Sequence, residues 1–333
     1  MYILGLESSC DETSAAVIEM TDEKRRILSN IVASQIDVHA LYGGVVPEIA
    51  GRAHIEAVSR ITYQALEAAY LRLSDIGLVA VTSHPGLIGA LLVGVNFAKS
   101  LAFANHIPLV GVDHIRGHLA AAFLAHEDLA PPYLGLVLSG GHTAFYTADS
   151  YADLCEIGGT RDDAAGEAFD KIARVIGLPY PGGAALDKLA FEGDPNAFTL
   201  PSPALGGDTL DFSFSGLKTA TLNLIHNAEQ TGTPLDRADL AASFTKTVTD
   251  GISKKLARAL ELTGRKTVIV AGGVSANSHI RAAAESVCKA AGASLCMPPL
   301  SLCGDNAAMI AAAGYYAYLA GERADTALNA SPV

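Results

Sequence analysis

An internal repeat is the sequence feature that most constrains the fold of this chain. The segment YLGLVLSGGHTAFYT at 133–147 aligns with ILGLESSCDETSAAV at 3–17 at a constant offset. Five aligned positions are identical, namely Leu4, Gly5, Leu6, Ser9 and Thr13 against Leu134, Gly135, Leu136, Ser139 and Thr143. Each copy has the pattern of two strands joined by a polar turn. The repeat therefore predicts a duplicated α/β fold with two lobes and a cleft between them.

The length of the chain agrees with two lobes, since 333 residues exceed what one ordinary core accommodates. Short β-branched runs alternate with helical patterns throughout the sequence, which is typical of α/β proteins. We expect an N-terminal lobe over 1–115, joined by a C-terminal helix at about 306–333, and a C-terminal lobe over 116–305.

Composition and charge indicate in which compartment the chain is located and what kind of partner it can bind. The net charge is −12, whereas nucleic-acid-binding proteins usually carry a basic face, so any RNA contact should use a local patch or a partner. The five cysteines form no CxxC pair, and the N-terminus lacks the basic start of a signal peptide. These features favour a cytoplasmic protein with reduced thiols.

One uncharged stretch, residues 76–98, is long enough to suggest a membrane span. It is interrupted by TSHPG and contains Asn96 and several glycines. We therefore expect a strand, a loop and a helix there, and no contact with a membrane.

Two histidines, His114 and His118, stand four residues apart in GVDHIRGHLAAAFLA, which has the pattern of a helix entered through Asp113. Side chains at this spacing share a helix face and can both bind one metal ion, although paired exposed histidines are commoner. A zinc protease of the H-E-x-x-H type needs glutamate where this chain has Ile115. Asp305 is the candidate for a third ligand, and Cys303 is a competing donor.

Two glycine-rich turns are candidate phosphate sites. LSGGH, from Leu138 to His142, lies between two predicted strands, where Ser139, Gly140 and Gly141 can present backbone N–H groups to an anion; a plain tight hairpin is the alternative. VAGGVSAN at 270–277 predicts a strand, a Gly-Gly turn and a helix start at Ala276, which suits a nucleotide.

Carboxylates cluster between these turns. A helix predicted at about 163–176 carries Asp163, Glu167 and Asp170 on neighbouring turns, and Gly183 and Asp187 follow in PGGAALDKLA. Such carboxylates beside glycine suit ribose hydroxyls or an ammonium group, although a solvated acidic helix face is the commoner meaning.

Taken together, these stretches resemble one family. The following motifs occur in order across nearly the whole chain: ESSCDETSAAV, VVPEIAGRAH, HPGLIGALLVG, HIRGH, LSGGHT, DDAAGEAFDK, YPGG, DFSFSGLKTA, GGVSANSHIR and CGDNAAM. They are similar to those of the bacterial tRNA N6-adenosine threonylcarbamoyltransferase (TsaD) family, formerly labelled O-sialoglycoprotein endopeptidase. His84, Gly51, Ala53 and Ala184 depart from its common forms, and none of them is a proposed ligand.

The resemblance implies the actin/sugar-kinase/heat-shock-ATPase (ASKHA) fold and a reaction. The threonylcarbamoyl group of threonylcarbamoyl-AMP passes to the exocyclic amine of the adenosine 3′ of the anticodon, in tRNAs reading codons that begin with A, and AMP is released. One divalent metal ion would be held by His114, His118 and Asp305, with Fe(II) as the first candidate and Zn(II) as the second. The site for the adenylate or an adenine nucleotide would comprise Leu138, Ser139, Gly140, Gly141, His142, Asp170, Gly183, Asp187 and Asn277.

The chemistry also requires a proton acceptor, because the attacking amine must lose a proton. Asp11 and Glu12, in the first copy of the repeated turn, are our candidates for accepting that proton or positioning the amine. The resemblance further implies tRNA as substrate, a fold-related non-catalytic subunit (TsaB-like) and a small ATPase (TsaE-like) as partners.

Three alternatives stay open on the sequence. A phosphotransferase or ATPase of the same superfamily would not need His114 and His118. A non-catalytic scaffold would lack those histidines and the second glycine turn, both of which are present. A metalloprotease is disfavoured by Ile115.

Overall fold

The computed structural model describes residues 1–21 and 24–333, which form two compact units. The first comprises 1–131, 150–152 and 298–333, and the second comprises 132–149 and 153–297. These limits differ from the expected lobe limits at 115/116 and 305/306. Residues 116–131 belong with the first unit because the helix that starts at His114 packs against the last helix of the chain.

The first unit is a five-stranded sheet with helices. Its strands are β1 (Tyr2–Glu7), β2 (Glu12–Met20), β3 (Arg25–Ser34), β4 (Leu78–His84) and β5 (Leu109–Asp113). Its helices are α1 (Ile36–Ala40), α2 (Pro47–Ala68), α3 (Ile88–Asn105), α4 (His114–Ala120) and, at the end of the chain, α10 (Ala307–Leu319). The sheet order is β3-β2-β1-β4-β5, with β1, β4 and β5 parallel and β2 antiparallel to its neighbours.

The second unit repeats this arrangement. Its strands are β6 (Tyr133–Leu138), β7 (Thr143–Ala148), β8 (Cys155–Gly159), β9 (Thr267–Ala271) and β10 (Ser294–Cys296). Its helices are α5 (Ala165–Val175), α6 (Gly183–Leu189), α7 (Ser215–Thr231), α8 (Arg237–Thr263) and α9 (Ser278–Ala290). The order β8-β7-β6-β9-β10 matches that of the first sheet strand for strand.

The sequence repeat coincides with this duplication. Leu4 pairs with Val17 in the first hairpin, and Leu134 pairs with Thr147 in the second. The residue numbers of the second pair exceed those of the first by the same offset that aligns the two repeats. Because register sets which side chains face the core, the two hairpins bury equivalent positions. The predicted duplicated α/β fold is confirmed.

Helix α3 is long and apolar enough, by length and composition, to cross a membrane. Its side chains Leu91, Val95 and Ala98 are fully buried, and the helix packs against α2 and β4. Such packing is typical of a core helix. The predicted succession of strand, loop and helix over 76–98 is confirmed by β4 and α3.

Some element limits differ from those expected. Gly273–Ala276 forms a 3₁₀ turn, so α9 begins at Ser278, where the Asn277 side chain accepts a hydrogen bond from the Ile280 N–H. Asp163 precedes α5 rather than lying on it. In α2, Ile55 has the helical spacing of a core residue but is 66% exposed, since the buried face of the helix runs through Val58, Ile61 and Ala65.

Candidate functional site

The two histidines lie where the sequence predicted them, on the first turns of α4. The Asp113 carboxylate caps this helix by accepting hydrogen bonds from the N–H groups of Ile115 at 2.7 Å and Arg116 at 3.4 Å. His114 and His118 are 7% and 1% exposed, and their rings meet edge to face with centroids 4.6 Å apart. The helix therefore presents both imidazoles inward.

Asp305 completes the cluster in the turn before α10. The Nε2 atoms of His114 and His118 each lie 3.4 Å from Asp305 Oδ1, and one ligand atom from each of the three residues lies within 4.8 Å of the other two. The Ala307 N–H donates to Ser14 Oγ at 2.9 Å, which ties this turn to β2. The competing donor Cys303 is not in the cluster, since its thiol is directed at the carbonyls of Pro298 and Pro299.

The donor set fits a metal ion. Both ring nitrogens of His118 are buried and have no hydrogen-bond partner among the described residues. A buried polar atom without a partner costs about 1–3 kcal/mol, so such atoms usually mark a strained or functional position. Two imidazoles and one carboxylate are ligands that suit Fe(II) or Zn(II).

A buried carboxylate orients His114. Glu7, at the end of β1, accepts hydrogen bonds through Oε2 from His114 Nδ1 at 2.9 Å and from Thr82 Oγ1 at 2.6 Å. Its Oε1 accepts from the Ser9 N–H at 2.5 Å. Because Nδ1 donates to Glu7, the ring turns Nε2 towards Asp305, and Nε2 is the nitrogen that can bind a metal once it has lost its proton. Glu7 was not among the residues predicted from the sequence, although an acidic residue ending a buried strand before a polar turn was the available signal.

The charges in this cluster stabilise one another. Burial raises the pKa of Glu7, but the adjacent imidazole of His114 outweighs burial and leaves that pKa lowered. Burial lowers the pKa of His114, yet Asp305 and Glu7 hold it well above its usual value. The pKa of Asp305 is also lowered, because His114 and His118 outweigh its burial. A cation at this cluster would replace the proton that the imidazole carries.

Asp11 lies in the turn between β1 and β2, and Glu12 is the first residue of β2, in the same unit as the three candidate ligands. Glu12 Oε1 accepts from Ser34 Oγ at 3.2 Å. Burial, together with the charges of Asp305 and Asp11, raises the pKa of Glu12 to about 9. The raised pKa favours the protonated form of Glu12 at neutral pH in this state.

The second unit holds the glycine turn predicted to bind phosphate. Ser139 closes the turn between β6 and β7, since its N–H donates to the His142 carbonyl at 2.7 Å and its Oγ accepts from the His142 N–H at 3.0 Å. Gly140 and Gly141 are exposed, and a Cβ added to either would meet nothing within 4 Å. This open space is what a phosphate-binding turn needs, and an exposed tight hairpin has it as well.

Two other glycines let backbone approach this turn closely. A Cβ on Gly166, in the first turn of α5, would lie 2.7 Å from the Ser139 carbonyl oxygen and 2.8 Å from Gly140 Cα. A Cβ on Gly272, which has a φ of 95°, would lie 2.4 Å from the Leu138 carbonyl oxygen. Both glycines therefore fix the shape of the turn from Leu138 to Gly140.

This close approach yields a prediction for Gly166→Ala. The added methyl group must displace the Ser139–Gly140 backbone, so we expect about tenfold weaker binding of AMP and a stability cost of about 1–3 kcal/mol. Calorimetric titration and thermal denaturation measure the two effects. Gly216→Ala, on α7 with open space around the new methyl group, is the matched control. Unchanged AMP binding by Gly166→Ala would contradict a role for this turn in binding phosphate.

The predicted carboxylates of the second unit hold backbone segments. Asp170 Oδ1 accepts from the N–H groups of Gly182 at 2.8 Å and Gly183 at 3.1 Å. Asp170 therefore fixes the PGG turn at the start of α6, and Gly183 is brought directly beside it. Lys218 forms ion pairs with Asp163 and, at 3.9 Å, with Glu167, so both of these carboxylates have a cationic partner.

Asp187 joins α6 to the start of α9. Its carboxylate accepts from the Ser278 N–H at 3.1 Å, from Ser278 Oγ at 3.1 Å and from His279 Nδ1 at 2.8 Å. Asn277 immediately precedes these partners and caps α9. The structure thus brings Asp187 and Asn277 to one helix start, and His279 is a neighbour that the sequence analysis did not identify.

Comparison with solved structures defines the class of protein. The chain is similar to component A of the (R)-2-hydroxyglutaryl-CoA dehydratase of Acidaminococcus fermentans, with a TM-score of 0.55 and 15% identity over 97% of this chain and 100% of that one. It is also similar to HypF of T. kodakarensis, with a TM-score of 0.63 and 16% identity over 96% of this chain and 48% of that one. With the duplicated sheets, these similarities show the ASKHA fold.

Sequence comparison then defines the family. Residues 26–312 match the family model described as TsaD, tRNA N6-adenosine threonylcarbamoyltransferase. Proteins of that name are 50% identical in Clostridium botulinum strain 657, over 99% of this chain and 96% of theirs, and 52% identical in Bacillus cereus, over 99% and 95%. The chain belongs to the tRNA N6-adenosine threonylcarbamoyltransferase family.

Membership of this family establishes the activity. The protein is a transferase that adds the threonylcarbamoyl group to N6 of adenosine in tRNA, so tRNA is its substrate. This assignment decides against the kinase, scaffold and protease alternatives. The predicted family and function are confirmed.

Proposed function

We propose that the donor is threonylcarbamoyl-AMP and that transfer requires a divalent metal ion held by His114, His118 and Asp305. Fe(II) is the first candidate for this ion, and Zn(II) is the second. The acceptor is the adenosine 3′ of the anticodon in tRNAs reading codons that begin with A. The observation that carries this proposal is the buried cluster of two imidazoles and one carboxylate, with His118 lacking any other described partner.

The reaction is an acyl-type substitution. The N6 amine of the adenosine forms a bond to the carbamoyl carbon, the bond from that carbon to the phosphate oxygen breaks, and AMP leaves with the bonding electrons. The amine loses one proton. When bound, a divalent cation supplies positive charge that polarises an oxygen of the donor and stabilises developing negative charge.

The protein residues have separate roles in this scheme. Glu7 holds the Nδ1 proton of His114 and so keeps Nε2 available as a ligand. In the second unit, the amides of Gly140 and Gly141 bind the phosphate of the adenylate, assisted by Ser139 and His142. Leu138, Asp170, Gly183, Asp187 and Asn277 line the rest of the adenylate site.

Asp11 accepts the proton of the attacking amine. We expect Asp11→Asn to lower kcat for transfer by about 100-fold or more, since a neutral amide of the same shape does not act as a base at neutral pH. Binding of the adenylate should be unchanged. Asp250→Asn, which alters an exposed carboxylate on α8 paired with Lys246, is the control. Wild-type turnover by Asp11→Asn would exclude Asp11 as the acceptor.

The proposed partners follow from the family. We expect a fold-related non-catalytic subunit (TsaB-like) and a small ATPase (TsaE-like), acting with this chain in the cytoplasm. Their contribution is consistent with the net charge of −12, because an acidic chain needs help to hold tRNA.

Donor and product analysis tests the proposal. Purified protein, the two partner proteins, unmodified tRNA and threonylcarbamoyl-AMP labelled in the threonyl group are mixed in a single turnover. We expect label on the nucleoside 3′ of the anticodon and one AMP released for each label transferred. Label elsewhere in the tRNA, or modification that requires ATP in place of the adenylate, would contradict the proposed donor and acceptor.

A further inference from the structure

His54, on α2, is a buried titratable side chain that the proposed mechanism does not use. Its relative exposure is 0%. Nε2 lies 3.0 Å from the Cys10 carbonyl oxygen and Nδ1 lies 2.7 Å from Thr13 Oγ1. Both partners flank Asp11 and Glu12, so His54 contacts each side of the turn that carries these two carboxyls.

The partners of His54 fix its tautomer. A carbonyl oxygen can only accept a hydrogen bond, so Nε2 must carry the proton and donate it to Cys10. Nδ1 is then the acceptor for the Thr13 hydroxyl. Burial lowers the pKa of His54, which favours this neutral form. The imidazole is thus a fixed donor and acceptor pair bridging two backbone positions of one turn.

Three consecutive carbonyls of this turn are held by three different elements. The Ser9 carbonyl accepts from the Leu87 N–H at 2.8 Å, and the Asp11 carbonyl accepts from the Gln35 N–H at 3.0 Å. Between them, the Cys10 carbonyl accepts from His54. Only this central bond comes from a side chain, so it is the one that substitution can remove.

A second buried histidine supports the same turn. The Val46 N–H donates to His39 Nδ1 at 3.3 Å, so His39 Nε2 donates to Gln35 Oε1 at 3.1 Å. This contact orients Gln35, whose backbone holds the Asp11 carbonyl. His39, Gln35 and the Asp11 carbonyl are thus linked in one chain of contacts beside the turn.

The opposite side of the turn faces the candidate metal ligands. Ser9 donates its N–H to Glu7, and Ser9 Oγ lies 3.2 Å from His114 Nδ1. A displacement of the Cys10 carbonyl would therefore also shift the backbone of Asp11 and Glu12 on one side and of Ser9 on the other.

From these contacts we infer that His54 is a positioning residue for the transfer reaction, holding the turn from Ser8 to Glu12 so that Asp11 and Glu12 are correctly placed. This inference rests on the proposed role of Asp11 as proton acceptor. His54 contacts neither substrate nor metal in this scheme, so its loss should change kcat and leave metal content and KM for tRNA unaltered.

The test compares His54→Phe with His54→Gln. Phenylalanine keeps the shape of the ring and removes both hydrogen bonds, whereas glutamine retains an N–H near the position of Nε2. We expect His54→Phe to lower kcat by about 10- to 100-fold and His54→Gln to restore most of it. Thr62→Val is the control, because Thr62 is buried on the same helix and its hydroxyl donates to the Val58 carbonyl within that helix.

Hydrogen exchange supplies a readout that is independent of activity. In His54→Phe, amides of the peptide covering residues 7–14 should exchange about tenfold faster or more, while those of β4 stay unchanged. If His54→Phe does not fold, Thr13→Val takes its place; it removes the hydroxyl donor to Nδ1 and leaves the bond to Cys10, so a smaller increase in exchange over residues 7–14 is expected.

Two results would overturn the inference. One is a folded His54→Phe protein with wild-type exchange over residues 7–14, and the other is a kcat within about twofold of wild type. Failure of the wild-type protein to transfer the threonylcarbamoyl group would contradict the proposed function instead, and the exchange result would then still report whether His54 holds the turn.

Discussion

The double variant His114→Ala/His118→Ala is expected to bind no divalent metal and to lose transfer activity by a factor on the order of 1000 or more. Two of the three candidate ligands are removed, and Asp305 alone is an insufficient site. Metal content after reconstitution with Fe(II) or Zn(II), measured by mass spectrometry, should fall from one ion per chain to none.

Two further variants make this result interpretable. Asp305→Asn removes the charge of the third ligand while keeping its shape, and it should also lose metal. His226→Ala, at an exposed position on α7, should behave as wild type. Retention of one metal ion per chain by the folded double variant would contradict the assignment of His114 and His118 as ligands.

Substitution of the buried Glu7 by glutamine is expected to weaken metal binding about 10- to 100-fold. The two carboxylate oxygens accept from three donors, namely the Ser9 N–H, the Thr82 hydroxyl and His114 Nδ1. A glutamine amide must place its own N–H groups against at least one of these donors, at a cost of about 1–3 kcal/mol. His114 then loses its fixed tautomer.

Metal titration of Glu7→Gln measures this effect, and thermal denaturation separates it from loss of stability. Glu156→Gln is a control at a carboxylate of the second unit that accepts from Tyr146 at 3.3 Å. If Glu7→Gln binds metal as tightly as wild type, the orientation of His114 by Glu7 is not what sets the affinity of this site.

The fold could be predicted from sequence because its strongest signal is local and repeated. The offset that aligns Leu4 with Leu134 is also the offset between the hairpin registers, since an antiparallel hairpin fixes its pairing through its own short turn. Helix limits were accurate where a cap is encoded, as with Asp113. They were displaced where a 3₁₀ turn intervenes, as before α9.

The site could be predicted only in part. The spacing of His114 and His118 places them on one helix face, so their proximity follows from local geometry. Their meeting with Asp305 depends on the packing of α4 against α10, which no local pattern encodes, and the sequence supplied it through the family resemblance. Glu7 reaches His114 because β1, β4 and β5 are neighbours in the sheet, which is likewise a property of the tertiary structure.

Metal dependence of a single turnover tests the central claim most directly. The wild-type protein is depleted of metal by chelation, mixed with threonylcarbamoyl-AMP, tRNA and the partner proteins, and then reloaded with Fe(II) or Zn(II). We expect no modified adenosine from the depleted protein and recovery on reloading, with no recovery for Asp305→Asn. Equal transfer by the depleted and the reloaded wild-type protein would show that the cluster of His114, His118 and Asp305 is not required for the reaction.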